Sequence, residues 1–303
     1  MIIPNPYEAL DPRFRDLIQP NAHLRRIATG FEWTEGPVWF ADMQVLLFSD
    51  IPADRMMRLT PDGQVSVFRQ PSDYSNGNTR DRQGRLVTCH HGTRSVTRTE
   101  HDGSVTVLAD SYEGRRLNSP NDVVVQSNGD VWFTDPTYGI LSDYEGFRAE
   151  PEQDAHHVFR IDARTGRVQA VIDDFVQPNG LAFSPDERVL YVAESGSSHD
   201  PDVPSVIRAF DVGEEGRVSG GDVFATVDAG LPDGFRLDTE GRLWTSAADG
   251  VHCFAPDGAL LGKILVPEVV SNLCFGGPRG NRLLITATTS VYSVAVNVSS
   301  ALG

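Results

Sequence analysis

The chain has 303 residues, 40% of them hydrophobic and 22% charged, with a formal net charge of −16. That balance suits a globular chain with a full core and excludes a nucleic-acid partner, whose phosphates need clustered Lys and Arg. No apolar run reaches the ~20 residues of a membrane-spanning helix, so no membrane partner is expected.

Met1 to Pro6 lacks the basic and apolar regions of a secretion signal, which predicts a cytoplasmic protein. Cys89, Cys253 and Cys274 are odd in number, widely spaced and free of CxxC, so they read as small core residues of a reduced protein. Residues 1–22 read as an N-terminal extension in which Asp11 and Pro12 open a short helix within Pro6 to Ile18. From His23 onward helix signals disappear. Asp62-Gly63, Asp102-Gly103, Asn128-Gly129, Thr165-Gly166, Glu240-Gly241 and Asp257-Gly258 mark hairpin turns between short strands.

A repeated phrase overlies these strands. An acidic or amide residue, usually followed by Gly or Asp, opens a hydrophobic strand at Glu35-Gly36, Asn76-Gly77, Asn121-Asp122, Asn179-Gly180, Asp233-Gly234 and Asn272-Leu273. The gaps between the first residues are 41, 45, 58, 54 and 39 positions. Periods of about 40–50 residues are those of β-propeller blades with four strands each. The expected fold is therefore all-β: one six-bladed β-propeller domain over residues 1–303. The last opening leaves room for three strands, and His23 to Ala28 is the expected fourth, closing the ring and removing an exposed edge. The longer gaps imply insertions. Tyr138 to His157, rich in Asp, Glu and Gly, reads as a loop rimming a pocket.

Innermost propeller strands line the axis, so the six opening residues should converge on one face. Converging carboxylates repel and resist ionisation when buried. A divalent cation on the axis resolves this, with Glu35 and Asp233 balancing its charge and Asn121 and Asn179 adding neutral oxygens. Each Asn-Gly or Asp-Gly taken singly is a common turn dipeptide. Glu35 is not explained that way, since Glu is a poor turn former. The all-oxygen set favours Ca²⁺, with Mg²⁺, Mn²⁺ or Zn²⁺ as alternatives.

Five stretches together resemble a known family: Glu35-Gly36-Pro37 with Trp39, Ser119-Pro120-Asn121-Asp122-Val123, Phe133 to Gly139, Pro178 to Asp186, and Pro232-Asp233-Gly234. They are similar to the gluconolactonase branch of the SMP-30/gluconolactonase/luciferin-regenerating-enzyme family, over about Arg25 to Val296. The resemblance implies a six-bladed propeller with one catalytic divalent metal, held by Glu35, Asn121, Asn179 and Asp233, and hydrolysis of a small sugar lactone such as glucono-1,5-lactone. Asp233 would be both ligand and general base.

Two positions depart from the family. Ser119 stands where animal members carry a substrate-contacting Arg. Cys89-His90-His91-Gly92 resembles a bacterial Cys-Glu-His-Gly, with His90 replacing Glu. His91, Asp135, Tyr138 and Asn76 are the candidate substrate contacts. Cys89 is no nucleophile for His90, because neighbouring strand residues face opposite ways. His156-His157 is a weak zinc signal without a spaced third ligand. Competing readings are a phosphoester or phosphotriester hydrolase on the same ring, and a non-catalytic propeller binding calcium or a sugar. Oligomeric state is not encoded in any readable pattern.

Overall fold

The computed structural model describes residues 1–301. Six antiparallel sheets of four or five strands follow one another along the described chain, with a small two-stranded sheet, Ser111–Tyr112 and Arg115–Arg116, between blades 2 and 3. Blade 1 contains Thr34–Phe40, Val45–Asp50, Arg55–Leu59 and Val65–Arg69. Blade 2 contains Ser75–Arg80, Leu86–His90, Ser95–Thr99 and Val105–Ala109. Blade 3 runs from Val123–Val125 through Val131–Asp135 and His156–Ile161 to Val168–Phe175, and blade 4 from Pro178–Phe183 through Val189–Glu194 and Val206–Val212 to Val218–Thr226. Blade 5 contains Phe235–Leu237, Leu243–Ala247, Gly250–Phe254 and Leu260–Leu265.

Blade 6 mixes the two ends of the chain. Val270–Gly276, Arg282–Ala287 and Ser290–Ala295 are joined by Leu24–Thr29, which pairs antiparallel with the third of them. The expected closure of the ring is thus present. It satisfies backbone groups that an open ring would leave as an edge.

The N-terminal segment carries the expected short helix, confined to Phe14–Leu17 and without a side-chain cap on its first turn. Tyr7–Ala9 is extended instead, because it pairs with Gly262 to Ile264 as a fifth strand of blade 5. Ile2–Ile3 pairs with Leu24 and Arg25 in the same way on blade 6. Edge pairing has overridden a weak local helix preference. Phe14, Leu17 and Ile18 are then buried with Trp244, Leu261 and Leu283. Among the described residues no helix is long and apolar enough to cross a membrane.

Innermost strands are mostly buried, whereas an outer strand such as Val65–Arg69 has no buried residue. Apolar faces of adjacent blades pack together: Trp132 of blade 3 meets Phe183 of blade 4 edge-on at 5.4 Å. Such buried faces supply most of the stabilisation, at roughly 25 cal/mol per Å² of apolar surface removed from water.

The openings of the inner strands position the site. Register shifts occur between Glu35 and Val38, Ser75 and Asn78, Pro178 and Leu181, and Val270 and Asn272. A β-bulge bends the strand and re-aims a side chain, here toward the axial cavity. Blades are tied together at the same points. Gly77 N–H donates to the Asn121 carbonyl (2.8 Å), Gly180 N–H to that of Asp233 (3.1 Å), and Gly234 N–H to that of Ser271 (2.8 Å). Ser49 Oγ and Thr134 Oγ1 donate to the carbonyls of Asn76 and Asn179, each at 2.7 Å.

Candidate functional site

Five of the six inner-strand openings end at an axial cavity of about 390 Å³. Glu35, Asn76, Asn121, Asn179 and Asp233 all line it, as do Tyr138 and Glu145. Asn272, the sixth opening residue, does not. It is buried below, where its amide donates to Glu35 Oε2 (3.1 Å). The same oxygen accepts from Gly36 N–H (2.6 Å).

Glu35, Asn121 and Asn179 are buried, whereas Asp233 keeps partial access to the cavity. Ser246 Oγ accepts from Asp233 N–H at 2.9 Å, fixing its backbone, and the Asn179 amide donates to its carboxylate. Burial raises both carboxyls above the usual carboxylate range. The charge of Asp122 raises Glu35 further, and that of Glu35 raises Asp233. Asp122 lies against this ring from below, with the Arg236 guanidinium 3.6 Å from its Oδ2.

These residues fit a divalent cation on the structure's own terms. Two carboxylates oppose each other's ionisation, the Asn76 Oδ1 is buried without a partner, and the Asn121 amide makes no hydrogen bond to the described residues. Oxygen donors left in that state are what a hard cation compensates.

The other expected contacts divide. Tyr138 lines the cavity from the helical turn Tyr138–Leu141, its hydroxyl donating to the Ser195 carbonyl (3.2 Å) beside Ser198 Oγ (3.0 Å). His91 and Asp135 are not among the residues lining the cavity. His91 is buried behind Asn76, whose amide N–H donates to its Nε2 (3.1 Å), so the proton sits on Nδ1 and donates to the Glu145 carbonyl (3.0 Å). Burial pushes His91 down to about 4, and it stays neutral. Asp135 is buried against the segment leading to Asn121: its Oδ2 accepts from Asn118 N–H (2.8 Å), and burial pushes it up to about 7. Both residues hold other groups in place.

Among the other candidates, the His90 ring is buried between the Ser72 carbonyl and Thr97 Oγ1, and Cys89 is a core residue whose thiol burial pushes well up. His156 and His157 bind the Val176 carbonyl and Asp154.

A family model described as SMP-30/Gluconolactonase/LRE-like region matches residues 33–289. The chain belongs to that family. The gluconolactonase of Zymomonas mobilis is 35% identical over 312 residues, spanning 93% of this chain and 84% of that protein. A pentonolactonase of Haloferax volcanii is 31% identical over 273 residues, spanning 86% and 84%. The solved structure of a gluconolactonase from Xanthomonas campestris is 36% identical, with a TM-score of 0.90 over 98% of this chain and 97% of that one.

Within the family fold, the departure at Ser119 has a structural consequence. Ser119 is buried, donates to the Pro136 carbonyl (2.6 Å) and accepts from Gly139 N–H (3.0 Å). It braces the turn carrying Tyr138 and is not among the residues lining the cavity. The apolar walls Trp33, Ile51, Leu231, Val269 and Val270, and the polar Glu145 and Ser198, were not readable individually. Apart from Val270, which opens a blade 6 strand, they come from loops and turns, where no periodicity marks which side chain turns inward; only the acidic character of the Tyr138–His157 segment pointed toward Glu145.

Proposed function

We propose that the axial cavity hydrolyses a sugar lactone, with glucono-1,5-lactone as the reference substrate, at one divalent cation held by Glu35, Asn121, Asn179 and Asp233. The observation that carries this reading is the convergence of two mutually destabilised carboxylates and amide oxygens in an axial cavity, in a chain whose relatives are named lactonases. The all-oxygen set makes Ca²⁺ the first expectation, ahead of Mg²⁺, Mn²⁺ and Zn²⁺. Bound there, such a cation polarises the lactone carbonyl and stabilises the charge that develops on its oxygen.

The chain's own residues do the rest. Asp233 is the one member of the set with partial access to the cavity, so its carboxylate takes the proton of the attacking water. That proton is then available to the ring oxygen as the carbon–oxygen bond breaks. Asn179, hydrogen-bonded to Asp233, and the Ser246 hydroxyl at its backbone keep the carboxylate in place. Ile51, Leu231, Val269 and Val270 cover the carbon face of the ring and limit stray water. Free, buried cysteines fit a reducing compartment, which supports a cytoplasmic enzyme.

Asp233→Asn tests the assignment at saturating Ca²⁺. Loss of a general base should lower kcat/KM on D-glucono-1,5-lactone by about 10²–10⁴-fold. Wild-type turnover by the variant would remove Asp233 from the base role.

A further inference from the structure

Glu145 is the third carboxylate lining the axial cavity, after Glu35 and Asp233, and the cation site does not require it. It lies between the turn Tyr138–Leu141 and the strand His156–Ile161. Its backbone is wedged in place. The Glu145 carbonyl accepts from buried His91 Nδ1 at 3.0 Å. A Cβ on Gly146 would lie 2.2 Å from the Gly139 carbonyl oxygen, and one on Gly139 would lie 2.4 Å from His91 Cγ. Only glycines permit so close a stack of loop, turn and imidazole.

Among the described residues no hydrogen bond reaches its carboxylate. The side chain is 26% exposed, and His91 Nδ1, 3.9 Å from Oε2, is already committed to the carbonyl. Burial pushes this carboxyl up to about 7, and leaving its acceptor sites unpaired in a partly dry place is costly. The same cavity is lined by Ile51, Leu231, Val269 and Val270, which donate nothing, and among the described residues no Lys, Arg or His lines it.

We propose that Glu145 is the hydroxyl-recognition residue of this cavity: a carboxylate on a wedged backbone that accepts hydrogen bonds from the ring hydroxyls of a polyhydroxylated lactone. The inference rests on the lactonase reading and sharpens it. The cation ligands see the carbonyl that every lactone has, whereas Glu145 sees what distinguishes a sugar lactone from a plain one. Glu145 is then a specificity residue, acting through KM more than kcat.

The test uses the Ca²⁺-loaded protein and two six-membered lactones, D-glucono-1,5-lactone and δ-valerolactone, which lacks the hydroxyls. The readout is the ratio of their kcat/KM values. Glu145→Ala should lower that ratio by about 10–100-fold, the worth of one or two hydrogen bonds to a charged acceptor. The change should lie mainly in KM for the sugar lactone. Glu145→Gln, which keeps one acceptor oxygen, should lower the ratio less and guards against a folding defect in the Ala variant. An unchanged ratio in both variants, including the case where both lactones lose equally, would overturn the proposal. A wild-type protein inert toward both lactones would instead contradict the lactonase reading, and the inference would fall with it.

Discussion

His91 is neutral because burial pushes it down to about 4, well below the ordinary histidine value of about 6.5. The sign of the consequence follows from proton uptake. As pH falls below about 6.5 the unfolded chain binds this proton and the native protein does not, so stability is lost until pH approaches 4. The full effect of one such group is about 3 kcal/mol. In urea unfolding of the metal-free protein, wild type should therefore lose more stability between about pH 7 and pH 4 than His91→Gln does. Equal pH slopes would contradict a buried neutral His91. Its position next to Asn76 also shows why sequence left it undecided. A histidine after a strand near the axis reads equally as ligand contact or support, and only its hydrogen bonds to Asn76 and Glu145 separate the two.

The inner-strand opening carries the most information among the elements. Its Asn-Gly and Asp-Gly dipeptides look like turn signals, but the glycines are there for close approach between blades. A Cβ on Gly180 would lie 2.1 Å from the Asp233 carbonyl oxygen, and one on Gly77 would lie 2.4 Å from that of Asn121. Gly180→Ala should consequently cost roughly 1–3 kcal/mol through overpacking, and should also lower activity, because the displaced carbonyl belongs to the proposed base. Thermal unfolding beside a lactone assay checks this; a wild-type melting temperature would mean the blades do not approach so closely. The period of the openings, the hairpin dipeptides and the polar identity at the axis were all readable along the chain. Two partners of the ring were not: Asp122 meets Arg236, and Asn272 supports Glu35, only after bulges bring separate blades together.

At the scale of the whole molecule, closure joins the two ends of the chain. The strand Leu24–Thr29 was legible because blade 6 lacked its fourth member. The extra strands Ile2–Ile3 and Tyr7–Ala9 were not, since short edge pairings leave no periodic pattern. The N-terminal segment is therefore part of the core, with Phe14 fully buried beside Trp244 at 6.1 Å between ring centroids. Phe14→Ala should destabilise by about 3–5 kcal/mol, as for other large buried aromatics. A loss too small to measure in chemical unfolding would show that the segment is dispensable. The ring it helps close holds the axial residues in register, so the central claim concerns the cation and the reaction together. The most direct measurement strips the protein with EDTA, confirms by circular dichroism that it remains folded, and titrates Ca²⁺ while a pH-stat follows D-glucono-1,5-lactone hydrolysis. The account predicts that enzymatic hydrolysis disappears on stripping and returns to saturation with one cation bound per chain. Undiminished enzymatic hydrolysis by the metal-free protein would contradict it.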